Sequence, residues 1–338
     1  MTAAVVTPNR ARDGLRRIRP ASDLPALADL IEVAYGPELA LTGSNLVERL
    51  RQYASMAALL GFAGRIAPLL DGFVWFEEDL LVGNVTLNRD ATISGGWTIS
   101  NVAVLPDYRG RGIAGRLVDA ALAQLDDAGA RCVRLQVRTD NAAAVALYRH
   151  RGFAVYETTQ EMRLAHRDLC PSTPSRDRRI GPPRLGDPKR ILRLAQQDQP
   201  VALRYLQPLH RTDLGLTLWQ RALHAAARGL GLDAPRALVA RPSRSPVGYA
   251  YLAPVGGGTL GLRLHLASNQ AQDIAAPLIQ ASLARSAPGS WSQVVAEIPA
   301  EAGEIRSALD TLGFEPLRTL YGMIWEPPQP ARRRGITR

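Results

Sequence analysis

Residues 97–125 read WTISNVAVLPDYRGRGIAGRLVDAALAQL, and the fold is decided there. Ile99, Val102, Ala103 and Val104 are the apolar positions of a strand predicted over Thr98–Leu105. Pro106 has no N–H to give a ladder and ends it. Ile113, Leu117, Ala121 and Leu125 then recur at every fourth residue, flanked by Val118 and Leu122, which is the stripe of a helix with one buried face. Between strand and helix lies the loop Arg109-Gly110-Arg111-Gly112-Ile113-Ala114. Its two glycines let successive backbone N–H groups turn inward, and the helix start adds unpaired N–H groups and the positive end of its dipole. Arg109 and Arg111 add charge. A diphosphate fits this description, as does an ordinary strand–turn–helix connection with solvated arginines. The Gly-Lys-Ser/Thr of a Walker loop is missing, and so are the third glycine and acidic ribose partner of a dinucleotide-binding turn.

A second segment follows one strand later. Gly129 caps the helix, Cys132–Val137 reads as a strand, and Asp140-Asn141-Ala142-Ala143-Ala144-Val145-Ala146-Leu147-Tyr148 precedes Gly152-Phe153. Asn141 stands at a helix N-cap, with Tyr148 two turns along. Val102-Ala103-Val104-x-Pro106, Arg109-x-x-Gly112-x-Ala114 and the Asn141–Tyr148 segment together resemble motifs A and B of the GNAT superfamily of N-acetyltransferases. The resemblance spans roughly Leu15–Leu164. It implies an α+β fold with a mixed, mainly antiparallel sheet flanked by helices.

The same resemblance implies acetyl-CoA as cosubstrate. The backbone of Val102, Ala103 and Val104 would pair with the cofactor arm. The loop of Arg109, Gly110, Arg111, Gly112, Ile113, Ala114 and Gly115 would hold the pyrophosphate. Asn141 would contact the arm, and Tyr148 would face the thioester sulfur. A phenol with a pKa near 10 is protonated at neutral pH and can donate to a departing thiolate. One departure concerns the general base: many members carry Glu where Thr98 stands, and neither Ser100 nor Asn101 replaces it. Glu157 and Glu161, on the acceptor side of such a fold, are candidates, against the plainer reading of each as a solvated strand residue.

At 338 residues the chain is long enough for two domains, and 46% hydrophobic with 21% charged residues is a globular composition. The net charge of +10 comes almost wholly from dispersed arginine, Lys189 being the only lysine. Without interleaved aromatic and basic clusters this does not point to nucleic acid, though it suits acidic ligands such as CoA. Cys132 and Cys170 make neither a disulfide framework nor a metal site. No signal-peptide pattern opens the chain, and the most apolar stretch, Met56–Phe76, is broken by Arg65, Pro68 and Asp71. A cytoplasmic location with no membrane partner is expected.

Further elements are expected in order. Leu15–Arg19 is a strand. Ser22 or Asp23 caps a helix that Gly36-Pro37 ends, and Asn45–Leu60 is a second helix. Phe73–Glu78 and Leu80–Asn88 form a hairpin turning at Asp79. Phe153–Glu157 and Glu161–Leu164 close the unit. Residues 166–179 then read as a linker.

Gly152-Phe153 recurs as Gly313-Phe314, 161 residues on. The same shift sets Ile113-Ala114 on Ile274-Ala275, Leu117-Val118 on Leu278-Ile279, and Leu122 on Leu283. The chemistry is not repeated. Arg109, Gly110, Arg111 and Gly112 become Gln270, Ala271, Gln272 and Asp273, while Asn141 becomes Ala302 and Tyr148 becomes Leu309. A carboxylate in a phosphate cradle repels a diphosphate. The expected organisation is therefore a disordered N-terminus (1–14), a catalytic unit (15–165), the linker (166–179), a degenerate unit of the same fold (180–326) and a basic tail (327–338). The expected function is acetyl transfer to an amine of a small molecule or protein, by direct attack in a ternary complex. A non-catalytic acyl-CoA-binding sensor or scaffold is the alternative.

Overall fold

The computed structural model describes residues 13–42, 44–60, 71–90, 92–165, 177–199, 204, 209–230, 234–267, 270–285 and 291–327. The expected disordered start, the linker and the basic tail thus lie almost entirely outside the described residues. The first half runs β1 (Gly14–Arg17), α1 (Pro20–Thr42), α2 (Leu46–Leu60), β2 (Asp71–Glu77), β3 (Leu80–Arg89), β4 (Gly96–Val104), α3 (Ile113–Asp127), β5 (Cys132–Arg138), α4 (Ala142–His150) and β6 (Ala154–Ala165). The second runs β7 (Ile180–Gly181), α5 (Pro188–Asp198), α6 (Leu218–Gly229), β8 (Arg236–Ala240), β9 (Gly248–Gly256), β10 (Thr259–Leu266), α7 (Ala271–Leu283), β11 (Gln293–Pro299), α8 (Gly303–Thr311) and β12 (Glu315–Trp325).

Local chemistry explains the elements that hold the site. The β2–β3 hairpin turns on Glu78 and Asp79, whose φ of 51° and 65° give a two-residue turn that follows the twist of its strands. The stripe of α3 is buried at Ile113, Leu117, Val118, Ala121 and Leu125, packed with Val82, Val85, Ile99 and Leu135 of the sheet. Such side chains contribute up to roughly 1.5–3 kcal/mol each. After α3, Gly129 adopts φ 69° and donates to the Asp126 carbonyl while Ala130 N–H donates to Leu125, the paired bonds of a Schellman cap.

The strands form one 12-stranded sheet in the order β1-β2-β3-β4-β5-β12-β6-β11-β10-β9-β8-β7. The halves have exchanged their last strands. β12 lies between β5 and β6, and β6 lies between β12 and β11. The exchange is twofold to the residue. Val133 opposes Trp325, and Val294 opposes Leu164. Each residue of the first pair maps onto one of the second by the 161-residue shift. The sheet is thus shared by the halves rather than built separately in each.

Three local expectations change. α1 does not stop at Gly36-Pro37 but continues to Thr42; contacts made by Tyr35 and Glu38, on either side of the proline, hold both parts. Its start is Pro20, so Asp23 is inside the first turn and reaches back to accept from Arg19 N–H at 2.7 Å. β6 is a single strand, because β12 and β11 pair with it along its two flanks.

Candidate active site

β4 pairs with β5 only from Gly96 to Thr98. On its other side the ladder to β3 breaks between Asn84 and Thr86, and Asn101 there takes a left-handed φ of 51°. This is a β-bulge, which bends a strand and turns it from its neighbour. β4 therefore splays away from β5, and a cleft of about 610 Å³ opens between them. Thr98–Val102 line one side and Arg134–Arg138 the other. Tyr35, Glu38, Leu39 and Thr42 of α1 cover it, and Asn141, Ala144 and Tyr148 come from α4. Strand edges left apart in this way offer main-chain partners to an extended ligand.

The glycine loop sits at the end of β4. Gly110 and Gly112 have φ of 77° and 78°, and a Cβ at either would meet nothing within 4 Å. Conformation, not space, demands glycine here. Gly112 is the N-cap of α3, so the N–H groups of Ile113, Ala114 and Gly115 have no intrahelical acceptor. The two loop arginines already have partners. Arg109 Nε donates to the Val104 carbonyl at 3.1 Å. Arg111 donates to Glu77 at 3.2 Å and to the Asp107 carbonyl at 3.0 Å, and lies over the Tyr108 ring. Ile113 is buried in the core, so its side chain packs and only its backbone faces an anion.

Sequence reasoning missed Arg151. A Cβ on Gly115 would come within 2.7 Å of its guanidinium, so that glycine admits Arg151 beside the start of α3. Asp119 and the Leu147 carbonyl hold it there. Tyr35 was also missed. Its hydroxyl donates to the Val102 carbonyl at 2.6 Å, so one of the three β4 residues expected to meet the cofactor arm has its acceptor occupied. Ala103 is buried with Ile18, Leu30 and Val74.

Asn141 caps α4 by accepting from Ala144 N–H at 3.1 Å. Its amide nitrogen is not part of that cap. Tyr148 is buried against Phe153, edge to face at 5.8 Å, and still lines the cleft. Burial pushes its hydroxyl up to about 12, with the Arg151 charge pulling back.

The two candidate carboxylates differ. Glu161 is gripped by Arg318, Nε to Oε2 at 2.7 Å and a second guanidinium nitrogen to Oε1 at 2.9 Å. Both of its carboxylate oxygens are thus engaged. Glu157 lines the cleft. Burial raises its carboxyl above the usual range, against a hydrogen bond with Tyr156 and the charge of Arg134. Gly322 opposite makes the room, since a Cβ there would lie 2.7 Å from Glu157 Cγ.

The second half lacks these features. β10 pairs with β9 in unbroken register from Leu260 to Leu266. α7 already begins at Ala271, the residue aligned with Gly110, so the positions aligned with Gly110 and Gly112 are helical, and Asp273 lies in its first turn. Ala302 gives α8 no side-chain cap, and Leu309 is fully buried where the first half has Tyr148. No group of three or more His, Cys, Asp or Glu that could hold a metal occurs among the described residues, and no helix there is long and apolar enough to cross a membrane.

Residues 43–153, from the start of α2 through α4, match the acetyltransferase (GNAT) family. That segment is similar to the acetyltransferases of this family. N-alpha-acetyltransferase 30 of Schizosaccharomyces pombe is 34% identical over 89 residues, 25% of this chain and 58% of that protein. The chain thus spans little more than half of that relative's length. Along nearly its whole length it shares its fold with a GCN5-related N-acetyltransferase of Sphaerobacter thermophilus, at a TM-score of 0.63 and 16% identity over 94% of this chain and 96% of that one. A tandem GNAT protein from the clavulanic acid biosynthesis pathway aligns at a TM-score of 0.55 and 15% identity, over 92% and 98%. The fold is α+β and is shared with these two proteins across both halves.

Proposed function

We propose that this protein is an acetyl-CoA-dependent N-acetyltransferase whose chemistry is confined to the first half, residues 15–165, while residues 180–326 form a degenerate unit. The observation that supports this reading is that Asn141 and Tyr148 line the cleft between β4 and β5, while the Gly110–Gly112 loop leads from the end of β4 into the start of α3.

Acetyl-CoA supplies an activated acetyl thioester. The N–H groups at the start of α3 take the pyrophosphate, with Arg109 and Arg111 exchanging their present partners for it or adding field. Val102–Val104, which lie beyond the β4–β5 pairing, align the pantetheine arm on that open side of β4, with Tyr35 and Arg109 giving up the carbonyls they now hold where the arm needs them, and the Asn141 amide donates to it. A backbone N–H of β4 supports the negative charge that develops on the carbonyl oxygen. Tyr148 gives its proton to the departing sulfur. Glu157, directly or through water, removes the proton that the attacking amine must lose. Holding amine and thioester together in favourable geometry is itself worth roughly 7–11 kcal/mol at best. The acceptor is an amine of a small molecule or a protein, and the site of action is the cytoplasm, where acetyl-CoA is made and used.

The missing carboxylate at Thr98 favours the second reading, an acyl-CoA-binding sensor. Tyr148 favours the enzyme, since a binder has no use for a proton donor at the sulfur. Incubation of acetyl-CoA with the full chain and a panel of primary amines decides between them. Free CoA released above background, and lost in Tyr148→Phe, is expected; tight binding with no release across the panel contradicts catalysis.

A further inference from the structure

α1 forms the lid over the cleft, and its covering part is the least self-sufficient stretch of that helix. Residues 35–42 include Gly36, which adds backbone freedom, and Pro37, which removes one helical hydrogen bond. The last turn carries no basic residue to complement the dipole. Tertiary bonds must therefore hold it. Tyr35 reaches Val102 within the first half. The other two holds come from the second half: Arg318 of β12 pairs with Glu38, and the Thr259 hydroxyl of β10 donates to the Thr42 carbonyl at 3.3 Å.

Arg318 suits this task because its guanidinium plane is fixed. The two parallel bonds to Glu161, its cross-strand neighbour, use Nε and one terminal nitrogen and aim the other at Glu38. The three side chains are only 13% to 24% exposed, so water screens them less than a surface pair.

We propose that Arg318 is the positioning residue through which the second half sets the acceptor site of the first. Anchored by Glu161, it holds Glu38 and with it the lid formed by α1 residues 35–42. Glu38 and Arg318 line the cleft together with Glu157, so the latch borders the space that an acceptor amine enters. Without Arg318, Glu38 and Glu161 face each other uncompensated, and the lid loses its strongest hold. The lid itself is independent of the acetyltransferase reading; only the acceptor arm of the test rests on it.

Hydrogen–deuterium exchange on the full chain tests the latch without any ligand. In Arg318→Gln, amides of residues 38–42 should exchange at least about threefold faster, with amides of 114–125 unchanged. Glu38→Gln, which leaves the β6–β12 pair intact, should do the same and decides the matter if Arg318→Gln fails to fold. Calorimetry with acetyl-CoA should give affinities within about twofold of wild type in both variants. With benzylamine, spermidine, glycinamide and an alanyl peptide amide as acceptor probes, KM should rise about tenfold for any that turn over, with kcat within about threefold. Unchanged exchange over 38–42 in the folded variants overturns the proposal, as does a fall in kcat at unchanged acceptor KM. Failure of the wild type to bind acetyl-CoA overturns the functional reading instead and leaves the exchange result to judge the latch.

Discussion

Glu161 and Arg318 stand opposite each other on β6 and β12, joined by two parallel hydrogen bonds although 157 residues apart in the chain. The 161-residue shift maps this pair onto another in the same two strands, Glu157 opposite Gly322. One pair is a closed ion pair, while the other leaves a carboxylate lining the cleft, packed into the room that the missing Cβ of Gly322 provides. A twofold scaffold has thus been differentiated at one cross-strand position, and the open member lies on the side of the intact glycine loop.

The strand exchange predicts that the first half cannot stand alone. A chain ending at residue 165 loses β12, exposing the facing edges of β5 and β6 and the positions where Leu320 and Met323 are buried. Unpaired edges recruit other strands. Size-exclusion chromatography should find a strand-exchanged dimer or aggregate, and a folded, monodisperse monomer would contradict the exchange.

Asn141 is given two tasks that one substitution separates. Asn141→Asp keeps an oxygen for the Ala144 N–H and so should unfold within about 0.5 kcal/mol of wild type, whereas Asn141→Ala should cost about 0.5–2 kcal/mol. Both remove the amide donor. Acetyl-CoA affinity should therefore fall in both, by about tenfold for the loss of one hydrogen bond to a ligand. Equal affinity in Asn141→Asp and wild type would remove Asn141 from the site.

Tyr148→Phe deletes only a hydroxyl. Acetyl-CoA affinity should stay, while kcat and kcat/KM fall together by about 10²–10⁴, the usual worth of a placed proton donor. Its hydroxyl pKa, pushed up to about 12, keeps the proton on through neutral and mildly alkaline pH. No alkaline loss of activity should be traceable to Tyr148 below about pH 11.

The rising limb belongs to Glu157. Burial lifts its carboxyl above the ordinary carboxylate range, and it must be ionised to accept a proton. Activity should therefore climb with pH through a limb displaced above that range, and Glu157→Gln should flatten it. The linkage has the opposite sign for stability: the folded state holds this proton more tightly than the unfolded one, so the contribution is present at low pH and is lost as pH rises through the folded pKa. A limb unchanged in Glu157→Gln would move the base elsewhere.

The parts legible in sequence are those whose signals are local. The stripe of α3, the glycine loop, the Asn141 cap and the hairpin turning at Asp79 each depend on residues within a few positions of one another. The second half's descent from the same pattern was legible because its buried stripe and its Gly-Phe mark kept one spacing. Pairing between distant strands leaves no such trace, so β12 between β5 and β6, and Arg318 with it, were invisible. α1 past Pro37 was misread because a proline argues against helix locally while Glu38 and Tyr35 are held by partners far along the chain. Asn101 was read only as a residue that is no base; its left-handed φ, which helps open the cleft, has no sequence signal strong enough to distinguish it from a strand asparagine.

The central claim is that one half of a twofold scaffold binds acetyl-CoA and the other has lost that ability. Titration calorimetry of the full chain with acetyl-CoA tests it most directly, alongside Gly112→Asp, which places in the first loop the residue the second half carries at Asp273. One site per chain, abolished by Gly112→Asp in a protein that remains folded, is the predicted result. Two equivalent sites, or binding that survives Gly112→Asp, would contradict it.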